Sequence, residues 1–386
     1  MSNLKTLIIF ITVVILIYGS ANFYLYRRTM QAASPSDSWV WVLRALLIIA
    51  ILSYPLGRIL GSGNSMGVFL IWMGSFYLAV MTYGVMIALI VDIVRLIDLP
   101  TGWLPRWMIA NPLQTGRMIF AGSVVIITFL LVGGHVRSLY PTMPEYTIEL
   151  DKFSEDRDEY RIVMLADLHL GVIVGEKRLT RIVEQINELS PDLVLIAGDL
   201  IDESADGMPW MIEPLSGIES TDGVYAVTGN HEVYAGVSEF EALIQKAGVR
   251  VLRNEIATIE GVATLVGLDD PGNGREKQKK IAMTEILKDT DKEQPVILIL
   301  HTPISKRVKE AERAGVDLML CGHVHGGQLW PVKYIAEATY RVKTGLTHLG
   351  KMNFYLTSGV GTWGPPVRIG AAPEIVTFIL KKRLDE

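Results

Sequence analysis

Thiols are almost absent from this chain. Of 386 residues only Cys321 is a cysteine, so no internal disulfide can form, and the lone thiol reads as a small buried residue at a strand end. Charge is also scarce, with 20% Asp, Glu, Lys and Arg against 50% hydrophobic residues, where soluble domains carry about 25% charged residues. Acidic residues are nearly missing from the first 140 positions. Only Asp37, Asp92 and Asp98 occur there, against nine Lys/Arg, which leaves 38 of the 41 acidic and 27 of the 36 basic side chains for the remainder. That remainder, at a balance of −11, has no basic stripe. Its field has the wrong sign for gripping nucleic-acid phosphates, so no nucleic-acid partner is expected. The length suits two domains, and the split in charge says where they join.

The N-terminal part is built of apolar runs. Residues 6–26 carry no charge, 39–60 hold Arg44 and Arg58 only near the ends, 66–91 carry no charge, and 118–134 form a shorter run. At 1.5 Å per residue such lengths cross about 30 Å of hydrocarbon. Long arginines at helix ends can snorkel to the interface, and Trp39, Trp41, Trp103 and Trp107 fall where an aromatic belt belongs. Four membrane helices within a domain 1–140 are therefore expected, with the lipid bilayer as a partner. Arg27, Arg28, Arg44, Arg95, Arg106 and Arg117 flank two loops, against Lys5, Arg58 and Arg137 on the other side. The positive-inside bias then predicts a multi-pass protein of the cell membrane, with the C-terminal domain extracytoplasmic. Lys5, the first apolar stretch and Gly19-Ser20-Ala21 also resemble a cleavable signal peptide. Arg27-Arg28 directly after it favours an uncleaved anchor.

From Arg161 the pattern becomes alternating strands and helices. Short apolar strands are predicted at 161–165, 193–197, 224–227, 262–268, 296–300 and 317–320, with helices around 177–189, 239–247, 276–287 and 306–314. The alternation predicts an α/β domain of sheet covered by helices, over about 146–386. The informative feature is where the metal-capable residues fall. Asp167 and His169, Asp199, Asn230 and His231, His301, and His323 and His325 each follow directly after an apolar strand. That is the strand end where open α/β sheets place their sites. Five of the seven histidines share this position; His135 and His348 do not. The mixed oxygen and imidazole donors suit divalent transition ions such as Mn, Fe or Zn better than Mg or Ca.

In that order and strand context, Asp167-x-His169, Gly198-Asp199, Gly229-Asn230-His231-Glu232, His301 and Gly322-His323-Val324-His325 resemble the calcineurin-like metallophosphoesterase superfamily over about 160–380. The resemblance implies a β-sandwich flanked by helices, preceded here by an all-α transmembrane domain. It also implies two divalent ions: Asp167, His169 and His325 as ligands of one, Asn230, His301 and His323 of the other, and Asp199 as the bridge. Asp199, Asn230 and His231 would be catalytic, with His231 giving a proton to the leaving oxygen or steadying the transition state. Val324 stands where Thr is common. Gly326-Gly327-Gln328 and the segment Ser358-Gly359-Val360-Gly361 to Pro373-Glu374-Ile375 resemble a bacterial membrane-associated branch that includes a UDP-2,3-diacylglucosamine pyrophosphatase type. Gly326 and Gly327 would let a substrate phosphate approach the backbone or simply make a turn. Arg368 would clamp that phosphate or pair with Glu374.

The expected activity is hydrolysis of a phosphoester or pyrophosphate by metal-bound hydroxide, on a phosphorylated small molecule or a lipid-linked substrate. A phosphodiesterase of soluble nucleotides is the alternative on the same centre, and a nuclease is disfavoured by charge. A non-catalytic metal-binding module would be expected to lose a ligand, and none is missing. A transporter would need ionisable groups inside the spans, where only Arg44, Arg58 and Asp92 come near.

Overall fold

Long uncharged stretches satisfy their backbone internally as long helices, and the computed structural model shows them in the N-terminal third. It describes residues 2–32, 37–202, 207–270, 283–291 and 293–384, the side chains at 2–7, 10, 11, 284 and 289 excepted. The chain divides into two compact units, Met1–Gly134 and His135–Glu386. The first holds α1 (Ser2–Met30), α2 (Trp39–Leu60), α3 (Ser65–Thr101), the short α4 (Arg106–Ala110) and most of α5 (Pro112–Ser138). Among the described residues, α2, α3 and α5 are long and apolar enough to cross a membrane. The expected first span, 6–26, falls within α1, and part of it lies outside the described side chains.

The third helix outruns its expected end at Val91. Asp92 does not stop it, because Arg28 pairs with that carboxylate and the Tyr24 hydroxyl donates to it at 2.5 Å. The Asn64 side chain caps its start by accepting from the Met66 backbone N–H at 2.8 Å. Its last residue, Thr101, comes ten later than expected and is followed by a cap at Gly102 with φ +60°.

The second unit carries β1 (Glu145–Leu150), β2 (Tyr160–Leu165), α6 (Glu176–Glu188), β3 (Leu193–Ala197), α7 (Ile212–Ser216), β4 (Val224–Val227), α8 (Asn230–Ala235), α9 (Val237–Ile244), β5 (Val249–Val251), β6 (Glu255–Ile259) and β7 (Ala263–Leu268). After these come α10 (Met283–Ile286), β8 (Val296–Leu300), α11 (Ser305–Arg313), β9 (Leu318–Cys321), α12 (Val332–Tyr340), β10 (Gly345–Leu349), β11 (Met352–Leu356) and β12 (Val376–Lys382). Most of the helix expected over 276–287 lies outside the described residues; α10 is its described end.

Two sheets of six strands result, ordered β1-β12-β2-β3-β4-β5 and β10-β11-β9-β8-β7-β6. β2 to β5 run parallel, as do β7, β8, β9 and β11. Strand alternation builds three cores. Ile162, Met164, Leu193 and Leu195 face Leu265, Ile297, Ile299 and Leu318 between the sheets. Val163, Leu165, Val194 and Ile196 turn outward onto α6 and α9. Val266, Leu298 and Met319 turn the other way, onto α10 and α11. Strands buried on both faces read as continuous apolar runs, so this is a sandwich of two sheets with helices outside.

The candidate metal centre

Parallel strands β2, β3, β4, β8 and β9 end on one edge of the sandwich, and the loop after each carries part of the site. The backbone there is held in an unusual state. Asp167, His169, Asp199, His323 and His325 all have φ between +50° and +80°, a left-handed region that non-glycine residues seldom occupy. They account for five of the eight such residues described. Strain concentrated in this way marks a functional site and needs surrounding bonds to hold it. Those bonds are present: Asp167 N donates to Gly198 O at 3.1 Å, His169 N to Asp199 O at 3.1 Å, and His323 N to Asp167 Oδ1 at 3.0 Å. The buried Glu232 carboxylate accepts from Asp199 N, Ile201 N and Gly229 N at 2.9, 3.0 and 2.7 Å, tying the β3 and β4 loops together.

Three groups of donors converge: Asp167, His169 and His325; His169, Asp199 and His231; and Asp199, His301 and His323. Within each group the ligand atoms lie within 4.8 Å of one another. Asp199 belongs to two, with Oδ2 3.0 Å from His301 Nε2 and 3.8 Å from His169 Nε2. The Nε2 atoms of His169 and His325 face each other at 3.0 Å, a spacing two nitrogen lone pairs tolerate only with a proton or cation between them. Asn230 Oδ1 is buried without a hydrogen-bond partner, an uncompensated acceptor that a cation would satisfy. The residues present therefore fit divalent ions. His301 Nδ1 is 2.7 Å from Ala197 O, and His323 Nε2 is 2.7 Å from the Tyr340 hydroxyl. Each contact fixes one ring nitrogen and leaves the other for the cluster.

Electrostatics agree with that use at Asp199, His323 and His325, whereas His301 must give up a proton held by Asp199 to become a ligand. Burial alone would raise the Asp199 pKa, but the charge and hydrogen bond of His301 outweigh it and hold the carboxyl far below its usual range. Burial likewise opposes charge on His301, yet Asp199 lifts its pKa well above the ordinary value. Burial, reinforced by His169, holds His325 well below it, and burial with His301 brings His323 to about 4. Neutral imidazole is the ligand form. Burial raises Asp167 to about 6 and, with the Asp199 charge, Glu232 to about 7.

All seven expected ligand positions, Asp167, His169, Asp199, Asn230, His301, His323 and His325, lie on this edge, and His231 lies beside them, its backbone N–H donating to Asp199 Oδ1 at 3.0 Å. Arg368 departs from expectation. It is fully buried, and its guanidinium donates to the carbonyls of Gly361, His325, Ser358 and Gly359 at 2.5–3.3 Å. With its donors turned to main chain it braces the His325 loop, and it is not placed to clamp a phosphate. Glu374 instead accepts from Tyr355, Thr357 and Ser358 N. Gly326 and Gly327 are buried at φ +55° and +71°. A Cβ on Gly327 would stand 2.2 Å from the Lys333 backbone, so close chain packing explains the pair.

Sequence reasoning missed Asp202, whose Oδ1 is 3.4 Å from His231 Nδ1 and 3.6 Å from His169 Nδ1. It follows Asp199 by three residues in the same loop, a spacing that could have flagged it. Tyr340 was missed as well, having no strand-end signal. So was Asp270, which accepts from Thr302 N at 3.2 Å behind His301.

Residues 160–327 match the family model of calcineurin-like phosphoesterases. The chain is 32% identical over 250 residues to an uncharacterised metallophosphoesterase of Aquifex aeolicus, covering 64% of this chain and 94% of that one. It is 31% identical over 242 residues to phosphodiesterase YaeI of Escherichia coli, covering 59% and 84%. A transmembrane protein with metallophosphoesterase domain from Danio rerio is 33% identical over 277 residues, 67% of this chain and 62% of that relative's length. Taken with the convergent donors, these likenesses show that the chain belongs to the calcineurin-like metallophosphoesterase family, hydrolases of phosphoester bonds that bind divalent metals.

Proposed function

We propose that the chain is a membrane-anchored phosphohydrolase with a dinuclear centre, its membrane domain over 1–140 and its catalytic domain over 146–386. Asp167, His169 and His325 would hold one ion, Asn230, His301 and His323 the other, and Asp199 would stand between. The observation that carries this reading is the meeting of two donor groups at one carboxylate, Asp199. Divalent ions such as Mn, Fe or Zn held there would supply Lewis-acid charge, acidifying water and polarising the phosphoryl group. His231 lies with Nδ1 against Asp202, 3.3 Å from its carbonyl and 3.4 Å from its carboxylate. With Nδ1–H donating to Asp202, Nε2 would give a proton to the leaving oxygen only from the cationic imidazolium, and the neutral ring would steady the transition state instead. Burial, with the neighbouring His169, lowers the His231 pKa, which makes the imidazolium a stronger acid but a less populated one. Glu232 keeps Asp199 and the Asn230 loop in register.

For substrate we favour a phosphoester or pyrophosphate borne by a lipid-linked or envelope molecule. Three membrane-length helices in the same chain and a relative named as transmembrane support that choice. The second reading is a phosphodiesterase of soluble nucleotides, supported as to bond type by the likeness to a relative named phosphodiesterase, YaeI. The test is a panel with the full chain in detergent plus Mn, comparing diacylated sugar nucleotides with soluble nucleotides and bis(p-nitrophenyl) phosphate. Equal rates on lipid and soluble substrates would remove the lipid reading, and no turnover of any phosphoester with any divalent ion would remove both. The catalytic domain is proposed to be extracytoplasmic. A C-terminal reporter active only in the cytoplasm would reverse that placement.

A further inference from the structure

A helix with its apolar side turned outward stands beside the metal centre. α12 has no buried residue. Val332, Tyr334, Ile335, Ala338 and Thr339 are its exposed positions, with Tyr334 at 62% and Ile335 at 65%. At 3.6 residues per turn these five fall on one face. The opposite face holds Lys333 and Glu337, an ion pair at 3.7 Å, and Tyr340, whose hydroxyl meets His323. Surface helices of soluble domains arrange their faces the other way round.

Two tryptophans extend this face. Trp330, 50% exposed, precedes the helix, and Trp363, 56% exposed, sits on a loop bound to Gln328 by two 3.0 Å hydrogen bonds. The Trp363 ring centroid lies 6.1 Å from that of His231. Among the described residues of this unit, the remaining exposed large hydrophobics are Tyr234, 5.8 Å from His231, and Val136, Tyr140, Met143 and Leu384 toward the unit's ends. Apolar exposure is therefore gathered at the mouth of the site, and a patch of this kind marks an interaction surface. Its charge context narrows the partner. In a unit rich in acidic residues, 328–351 carries Lys333, Arg341, Lys343 and Lys351 against Glu337 alone, and Arg341 and Lys343 are exposed. Tryptophan and tyrosine beside basic residues, on an outward apolar helix, are the makings of a segment that lies in the interface of an anionic bilayer.

We infer that α12, Trp330 and Trp363 form an interfacial docking surface that lays the mouth of the metal centre against the headgroups of an anionic lipid bilayer. This deepens the lipid reading above and rests on it for the meaning of docking. The docking itself is measured without turnover. Because Cys321 is buried, an Ile335→Cys variant of the full chain takes an environment-sensitive fluorophore at one place. Glu155→Cys, 82% exposed in its side chain, serves as control. In nanodiscs of phosphatidylcholine and phosphatidylglycerol, brominated lipid should quench the label at 335 at least about twofold more than at 155, and less without phosphatidylglycerol. Equal quenching at the two positions overturns the proposal. So does a label shielded from water but unquenched by lipid in a two-copy particle, which would assign the face to self-association. Ile335→Asp should also lower the ratio of turnover on a bilayer-borne phosphoester to turnover on bis(p-nitrophenyl) phosphate, and an unchanged ratio overturns the proposal. Loss of all phosphoesterase activity in the unmutated chain would defeat the functional reading while leaving the quenching result standing.

Discussion

The helical unit and the catalytic unit spend the same apolar side chains in opposite ways. α2, α3 and α5 turn Trp41, Leu46, Phe69, Leu99 and Phe129 outward, as suits helices whose solvent is hydrocarbon. The catalytic unit hides its Leu, Ile and Val in three cores and leaves a metal-binding edge at the strand ends. The difference teaches that composition must be read against solvent: an exposed Phe in one unit is ordinary, whereas an exposed Ile in the other asks for a partner. By that measure α12 behaves as a piece of the first kind of surface built into the second.

The comparison breaks most visibly at the metal centre. Asp199→Asn should lower turnover of bis(p-nitrophenyl) phosphate by about a thousandfold or more, since it weakens a carboxylate shared by two donor groups. Metal analysis of the purified variant should show reduced content; full content with full activity would refute the bridging role. His231→Ala should keep its metal while turnover slows by about a hundredfold, and a metal-free His231→Ala protein would disprove the proton-donor assignment.

Stability separates the units further. Arg368→Met leaves several buried carbonyls without a donor, and denaturant titration should register a loss of about 3 kcal/mol in the catalytic unit. A variant as stable as the parent would mean that the carbonyl bonds are not needed. Leu195→Ala, between the sheets, should cost about 3 kcal/mol through loss of transfer energy and a cavity. Phe129→Ala on α5, 75% exposed, should cost under about 1 kcal/mol in a bilayer or detergent, because lipid fills the space it leaves. Equal costs at these two positions would mean that α5 is buried against protein. Metal removal is expected to have an effect between these two. Chelation should lower the catalytic unit's stability by about 2.7 kcal/mol at a metal concentration a hundredfold above Kd, while the helical unit's melting stays put.

Much of the site was legible because chemistry and strand ends coincide along the chain. β3, β4 and β8 begin and end where their apolar runs do, since strands buried on both faces tolerate no polar interruption. β1, β5, β6 and β10 to β12 were not anticipated. β6 and β10 alternate or lie half exposed, and β12 is recruited from the far end of the chain by pairing with β1 and β2. Arg368 was misjudged for a related reason. An arginine near a phosphate site reads as a clamp until the carbonyls of Gly361, His325, Ser358 and Gly359 are seen around it.

By itself, then, the sequence determined which metal-capable residues follow its strands and that two solvents are involved, because ligand types, apolar run lengths and charge segregation are local properties. Tertiary structure alone decided which donors share Asp199, that Asp202 and Tyr340 back His231 and His323, and that α12 turns its apolar face outward. Each of these depends on groups from distant parts of the chain meeting across a few ångströms, and no spacing along the chain encodes that meeting.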